Sequence, residues 1–262
     1  MAYALQYSLV MSHRVLVAAT VAVCAAALLS AQTPPARGEL YRFTMLQAAP
    51  GRLADLLTLV RQRSTVIVAG GDALPILIRH SQGDRWDLLV IYPSGSFTEH
   101  YSRERVAQRE AAANASGVSS AAFAKQLSDL VSWHEDVYMT GPPLAEVRGY
   151  LNDATLAHLE MLQALAGKRD ELIKERQMEN AFNVARGRPA TLIFTREQGA
   201  AWDVVTLDAW RDWRQYGELQ LIPADVSDAA AKKAGFANAD AVGVYMRSLI
   251  STHHDTLGPL VK

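Results

Sequence analysis

The tetrapeptide Met45-Leu46-Gln47-Ala48 recurs letter for letter at Met161-Leu162-Gln163-Ala164, an offset of 116 residues (161 − 45). The match runs on at that offset. Gly51-Arg52 answers to Gly167-Lys168, Asp55-Leu56-Leu57 to Glu171-Leu172-Ile173, Gly83 to Gly199, and Trp86-Asp87 to Trp202-Asp203. Further on, the segment Leu130-Val131-Ser132-Trp133-His134-Glu135-Asp136 has its counterpart in Leu249-Ile250-Ser251-Thr252-His253-His254-Asp255, an offset of 119 (249 − 130). Self-similarity over most of a chain marks one supersecondary unit that was duplicated and fused. Any fold for this chain must therefore be assembled from two like halves.

The 262 residues suffice for one large or two small domains, and 50% apolar against 20% charged residues leaves ample material for a core. A formal net charge of −1, with no long run of one sign, excludes the basic stripe that nucleic-acid binding requires. Cys24 is the single cysteine, which rules out a disulfide framework and a cysteine-based zinc site.

At the N-terminus, His13-Arg14 precede an uncharged apolar run from Val15 to Leu29, broken by Ser30-Ala31-Gln32-Thr33-Pro34-Pro35. A basic start, a short apolar stretch and small residues before a polar break predict a signal peptide over residues 1–31, cleaved after Ala31. The run is short for a spanning helix, which needs about 20 apolar residues. On this reading residues 32–38 form a flexible lead-in, and the mature protein is periplasmic or secreted and free of the membrane. A retained N-terminal anchor is the alternative, and Met11 offers a second start.

The first repeat, residues 39–152, reads as a strand over Leu40–Leu46, a helix over Arg52–Arg63, and strands at Leu74–Arg79 and Trp86–Tyr92 around a Gly83 turn. A polar helix from Thr98 to Ala113 follows, then a helix from Ala121 to Trp133 ended by His134-Glu135-Asp136, and a short strand over Val147–Leu151. The second repeat, residues 153–262, gives a strand at Leu156–Leu162, a helix at Arg169–Asn183 and a hairpin of Ala190–Thr195 with Trp202–Leu207. An aromatic helix marked by Trp210, Trp213 and Tyr216, a helix over Asp225–Ala234 and a last helix over Ala239–Ser251 complete it.

This order, βαββα with a closing strand, resembles the ferredoxin-like unit of the dimeric α/β-barrel superfamily. The strand that passes through a Pro-Gly or Ala-Gly turn into a helix is similar to the antibiotic-biosynthesis-monooxygenase-like and NIPSNAP-like branches. The resemblance implies an α+β fold in which two tandem units set their sheets face to face, helices outside, as a fused pseudo-dimer with extra helices. It also brings haem into view, bound in relatives through an axial His, although no residue here is singled out for it and the cofactor stays unknown.

On that architecture the helices are expected to cover Tyr41, Phe43 and Met45 and their counterparts Ala157, Leu159 and Met161. The opposite strand face would then line the space between the sheets with Arg42, Thr44, His158 and Glu160, joined by Arg79 or His80. Buried polar side chains must be paired or do work. His158 with Glu160 is thus a candidate base and orienting carboxylate, and Arg42, Thr44 and Arg79 are candidate ligand contacts. The repeated His-x-Asp places His134, Asp136, His253 and Asp255 as candidate ligands for zinc, iron or manganese. Its structural alternative is a His in a last helical turn, favoured by the helix dipole. Trp86-Asp87 and Trp202-Asp203 read as packing and hairpin residues.

No G-x-S-x-G, H-E-x-x-H or Walker sequence is present. The leading reading is an exported protein that binds a small, mainly apolar molecule between two sheets; whether it also reacts with that molecule is left open, and its enzymatic version is oxygenase- or isomerase-like chemistry. The rivals are a non-catalytic scaffold for a protein partner and a metal-binding protein. Further association into a homo-oligomer stays open.

Overall fold

A computed structural model describes residues 38–218 and 221–261. The expected signal peptide with Cys24, and residues 32–37 of the lead-in, lie outside the described residues. Among those described, no helix is long and apolar enough to cross a membrane.

The first repeat gives β1 (Glu39–Ala48), α1 (Leu53–Ala69), β2 (Ile76–Arg79), β3 (Leu88–Gly95), α2 (Phe97–His100), α3 (Arg103–Ala115), α4 (Ser120–Leu130), β4 (Val131–Gly141) and α5 (Leu144–Leu151). The second gives β5 (Leu156–Ala164), α6 (Arg169–Ala185), β6 (Leu192–Gly199), β7 (Val204–Trp210), α7 (Trp213–Glu218), α8 (Ala224–Lys233), α9 (Asp240–Arg247) and β8 (Ile250–Pro259). Helices α1 and α6 keep the repeat's offset at both ends, and the turn glycines before them, Gly51 and Gly167, share a φ of 76°.

The strands form one sheet in the order β2-β3-β1-β4-β6-β7-β5-β8. The halves join at β4 and β6, where Val137 pairs with Gly199 and Thr140 with Thr195. They meet again on the far side, where Ile78 bridges to Leu260 and Gln82 to Leu257. The sheet thus closes on itself as an eight-stranded barrel, which protects the strand edges that an open sheet would expose.

The barrel interior is apolar, and it settles which strand face points inward. Tyr41, Phe43 and Met45 share one buried cluster with Ala157, Leu159 and Met161 from the other half, filled out by Val137, Met139 and Phe194. Phe194 stands edge-on to Tyr41 at 5.3 Å and to Phe43 at 5.0 Å. The expected facing is therefore reversed. These residues fill the space between the half-sheets, while Arg42, Thr44, His158 and Glu160 lie on the outer face. The helices explain the reversal. Each offers only a narrow apolar stripe, Leu56 and Val60 of α1 against Leu46, Leu88 and Val90, and Leu172 of α6 against Leu162 and Val204. The interior takes side chains from all around the barrel and so claims the uninterrupted apolar set. Burying each large side chain there is worth about 1.5–3 kcal/mol.

Three element assignments change. Helices α4 and α9 stop at Leu130 and Arg247, and the two His-x-Asp segments lie on strands β4 and β8 rather than at helix ends. Strand β4 runs beside β1 from Glu39 opposite Gly141 to Ala48 opposite Val131, so ladder pairing overrides local helix propensity. The expected strand at Val147–Leu151 is helix α5. Pro142 and Pro143 lead into it, and Val147 and Leu151, one turn apart, bury the same side. The polar helix expected over Thr98–Ala113 is split into α2 and α3, where the Ser102 hydroxyl caps α3 by accepting from the Arg105 N–H at 3.2 Å.

The repeated motifs prove to be halves of one latch. The Ala48 N–H donates to Asp87 Oδ2 at 2.8 Å, and the Ala164 N–H donates to Asp203 Oδ2 at 2.9 Å. The Trp-Asp aspartates thus tie the end of each Met-Leu-Gln-Ala strand. Trp86 is fully buried in the barrel interior rather than over a helix.

Candidate functional site, a polar cavity in the second half

Strand β5 carries His158 and Glu160 outward beneath α6. The register sets Asp208 and Thr206 of β7 beside them on one flank. On the other flank β8 brings Asp255 opposite Glu160 and His253 opposite Leu162. Helix α6 lays Glu175, Arg176 and Glu179 over this patch. Arg176 is 3% exposed, and its guanidinium holds Glu175 through Nε–Oε2 at 2.6 Å and Nη2–Oε1 at 2.9 Å, in a fully buried pair. It also reaches Glu160 Oε2 at 2.9 Å and Glu179 Oε2 at 2.5 Å. The Thr206 hydroxyl donates to Glu160 Oε2 at 3.1 Å, and the Thr191 hydroxyl donates to Asp208 Oδ1 at 2.5 Å. His158 is clamped, with Nδ1 3.4 Å from Asp208 Oδ2 and Nε2 3.4 Å from Asp255 Oδ1.

The charges follow from this geometry. Burial works against a charged His158, yet the carboxylates of Asp208 and Asp255 outweigh it and push the imidazole up to about 10. Asp255, and then Glu160, push His253 up to about 9. Burial opposes ionisation of Glu160 but loses to His253 and Arg176, which hold it down at about 2. Glu179 goes the other way. Burial dominates over the pull of Arg176, the neighbouring carboxylates add repulsion, and the group is pushed up to about 7. Arg176, ringed by carboxylates, is held above its ordinary value despite burial. His158 is therefore a clamped cation with both nitrogens engaged, not the free base expected from its place beside Glu160.

Between α6 and strands β5 and β7 lies a cavity of about 170 Å³, lined by His158, Glu160, Glu179, Arg188, Asp208 and Tyr216 among other polar groups. Arg188 leans over the Trp210 ring at 5.3 Å, and its Nε is buried with no hydrogen-bond partner among the described residues. Larger hollows among the described residues include a groove of about 820 Å³ between α1 and α3, one of about 570 Å³ beside α1, β2 and α5, and one of about 250 Å³ between α1 and α4. None of these three gathers a buried cluster of ionisable groups.

Solved structures with this architecture decide the fold. An anthrone oxidase-like protein superposes with a TM-score of 0.53 at 8% identity, over 87% of this chain and 93% of that one. A proposed monooxygenase from Fusobacterium nucleatum subsp. nucleatum gives 0.51 at 9% identity, over 87% and 94%. The chain has the dimeric α+β-barrel fold, with both halves in one polypeptide. At such identities the likeness shows the fold alone. No family model matches the sequence, and no curated protein matches it.

Within the α+β barrel, the two halves differ at the site. At the 116-residue offset the counterparts of His158, Glu160, Arg176, Glu179 and Asp208 are Arg42, Thr44, Val60, Arg63 and Tyr92. Arg42 stacks over the Tyr92 ring at 4.5 Å, and the Thr44 hydroxyl donates to Asp136 Oδ1 at 2.5 Å. The structure thus keeps Arg42 and Thr44 in the first half, apart from His158 and Glu160. Arg79 is exposed at the end of β2. His134 and Asp136 are exposed on β4, which stands across the barrel from β8, so the four expected metal ligands do not converge. Arg176, Glu179, Arg188 and Asp208 escaped the sequence reading. For Arg176 and Asp208 the signal was the mismatch between the repeats, a charged residue where the other copy has Val60 or Tyr92; for Glu179 and Arg188 it was a reversal of charge against Arg63 and Asp72.

Proposed function

We propose that the second half of the barrel binds a small carbonyl- or carboxylate-bearing molecule under α6 and moves a proton on it, in isomerase- or oxygenase-like chemistry. The observation that carries this is a polar cavity, in one of two duplicated halves, where a buried guanidinium nitrogen without a hydrogen-bond partner shares the lining with the carboxylate of Glu179. Arg188 Nε, buried without a partner, offers a donor for a substrate oxygen. Glu179 faces the same cavity, and a carboxylate with a pKa near 7 is well matched to accept a proton at neutral pH.

In the step proposed, Glu179 takes a proton from the carbon next to the carbonyl. The electron pair moves onto the carbonyl oxygen, and Arg188 stabilises that oxygen as it gains charge. Where the deprotonated carbon carries a hydroxyl, the product is an enediolate; returning the proton to the former carbonyl carbon, while the hydroxyl proton passes to the first oxygen, moves the carbonyl by one carbon and isomerises the substrate. Attack of the same enolate on dioxygen is the oxygenase branch. Likeness in fold to an anthrone oxidase-like protein and a proposed monooxygenase supports keeping that branch. His158 supplies fixed positive charge rather than a base. Drug-sized pockets run to roughly 300–1,000 Å³, so the cavity suits a polar molecule of a few carbons. Export, expected from residues 1–31, belongs to the same proposal.

The test is hydrogen–deuterium exchange at the α-carbon of three- to five-carbon 2-oxo acids and 1,3-diketones, followed by proton NMR in D2O with the full chain. Acceleration over buffer that falls about 100-fold or more in Glu179→Gln is expected. No acceleration with any of these compounds, or an unchanged rate in Glu179→Gln, overturns the reading in favour of a non-catalytic scaffold.

A further inference from the structure

Beside the cavity, on the flank where β5 meets β8, three donors converge that the proposed chemistry does not use. His253 Nε2 lies 3.2 Å from Asp255 Oδ1 and 3.7 Å from Glu160 Oε1, and one ligand atom from each of the three residues falls within 4.8 Å of the others. His253 is deeply buried, its side chain 6% exposed. Its Nε2 nevertheless makes no well-directed hydrogen bond, although it points into the gap between the two carboxylates. A ring nitrogen lodged within ion-pair distance of two carboxylates, with no directed hydrogen bond to either, gives a set of donors that a metal ion can take over in place of the imidazole proton.

We infer that Glu160, His253 and Asp255 form a three-donor site for a divalent transition-metal ion such as zinc or manganese. One imidazole with two carboxylates suits either ion, and bonds of about 2.0–2.2 Å to a central zinc place its donors at separations close to those observed here. Three protein donors leave positions open for water or a ligand oxygen. Asp255 is half exposed and gives the ion a way in. His158 stands behind Asp255 and is itself held by Asp208, a positioning chain that fixes the carboxylate's orientation.

The duplication supplies an internal control. His134 and Asp136 occupy the corresponding places in the first half, but Thr44 stands where Glu160 stands, and its hydroxyl is spent on Asp136. The first half has the His-x-Asp without the third donor. This separates the inference from the expectation that both His-x-Asp pairs bind metal. It is also independent of proton transfer by Glu179, which survives if no metal binds.

The experiment is calorimetric titration of the full chain with Zn2+ and with Mn2+, paired with Mn2+-induced broadening of amide NMR signals. One ion per chain is expected, with broadening confined to β5 and β8. Glu160→Thr, which installs the first half's residue, is expected to weaken binding at least about tenfold, as is Asp255→Asn. The pair His134→Asn with Asp136→Asn is expected to leave it unchanged. Absence of stoichiometric binding by the folded wild type overturns the inference. So does wild-type affinity in folded Glu160→Thr, or broadening centred on β4.

Discussion

Val60 of α1 and Arg176 of α6 hold the same position in the two halves of the barrel, and each is only 3% exposed. One is a core aliphatic and the other a fully engaged cation, so the same backbone supports two different outer layers. Replacing Arg176 alone leaves Glu175, which is completely buried, without its partner. Arg176→Val is therefore expected to destabilise the protein by about 3–5 kcal/mol. Restoring the first half's residues together, as Glu160→Thr, Glu175→Leu and Arg176→Val, is expected to recover most of that loss. Urea unfolding of the two variants checks both statements.

The barrel's two seams rest on glycines. A Cβ on Gly83 would overlap the Asp255 carbonyl oxygen, and one on Gly199 would sit 2.6 Å from the Asp136 carbonyl oxygen. Both glycines also have positive φ, 118° and 108°. Gly83→Ala and Gly199→Ala are each expected to cost about 3 kcal/mol or more, from backbone strain together with an opened seam. Denaturation midpoints measure the cost. Loss of less than about 1 kcal/mol in both would show that the halves hold together without these close approaches.

Glu179 gives a pH signature with a definite sign. Its pKa rises on folding from the usual 4.5 to about 7, so the folded state holds the proton more tightly between those values. Its contribution to stability is full below pH 4.5, is lost as pH rises towards 7, and is flat above. The wild type is thus expected to lose stability relative to Glu179→Gln from pH 4.5 to pH 7.5, read as the difference between their urea midpoints. Parallel midpoints across that range would show that Glu179 is ionised throughout.

The two latches predict unequal losses. Asp87 and Asp203 each accept the main-chain N–H at the end of a Met-Leu-Gln-Ala strand, but Asp203 also takes Arg196 Nη2 at 2.6 Å. Asp87→Ala is expected to cost about 1–2 kcal/mol and Asp203→Ala more, the two adding in the double variant because they lie in separate halves. Thermal unfolding in parallel decides the order.

How far the sequence could be read follows from what repetition encodes. The twofold architecture, the βαββ order and the paired turns at Gly51 and Gly167 were legible because both copies repeat them. Inward and outward strand faces were not. Tyr41, Phe43 and Met45 alternate with Arg42 and Thr44 whichever face meets the helices, and only the count of strands contributing to the interior decides between them. The His-x-Asp segments were misplaced because Leu130-Val131-Ser132-Trp133 continues an amphipathic helix pattern that pairing with β1 overrides. At the site, His158, Glu160, His253 and Asp255 stood out as residue types. Arg176 and Glu179 did not, since charged residues on a helix are ordinarily solvated. Only their contrast with Val60 and Arg63 marks them.

The cavity under α6 is proposed as the working site, whereas at the matching place in the first half Arg42 stacks on Tyr92 and Thr44 is bonded to Asp136. Amide chemical-shift mapping on the full chain, titrated with a three- to five-carbon 2-oxo acid, tests this most directly. Shifts are expected to cluster on β5, β7 and α6 around Glu179, Arg188 and Asp208, with none at the corresponding positions of β1, β3 and α1. Shifts centred on the first half or on the groove between α1 and α3, or none at saturating acid, would contradict the proposal.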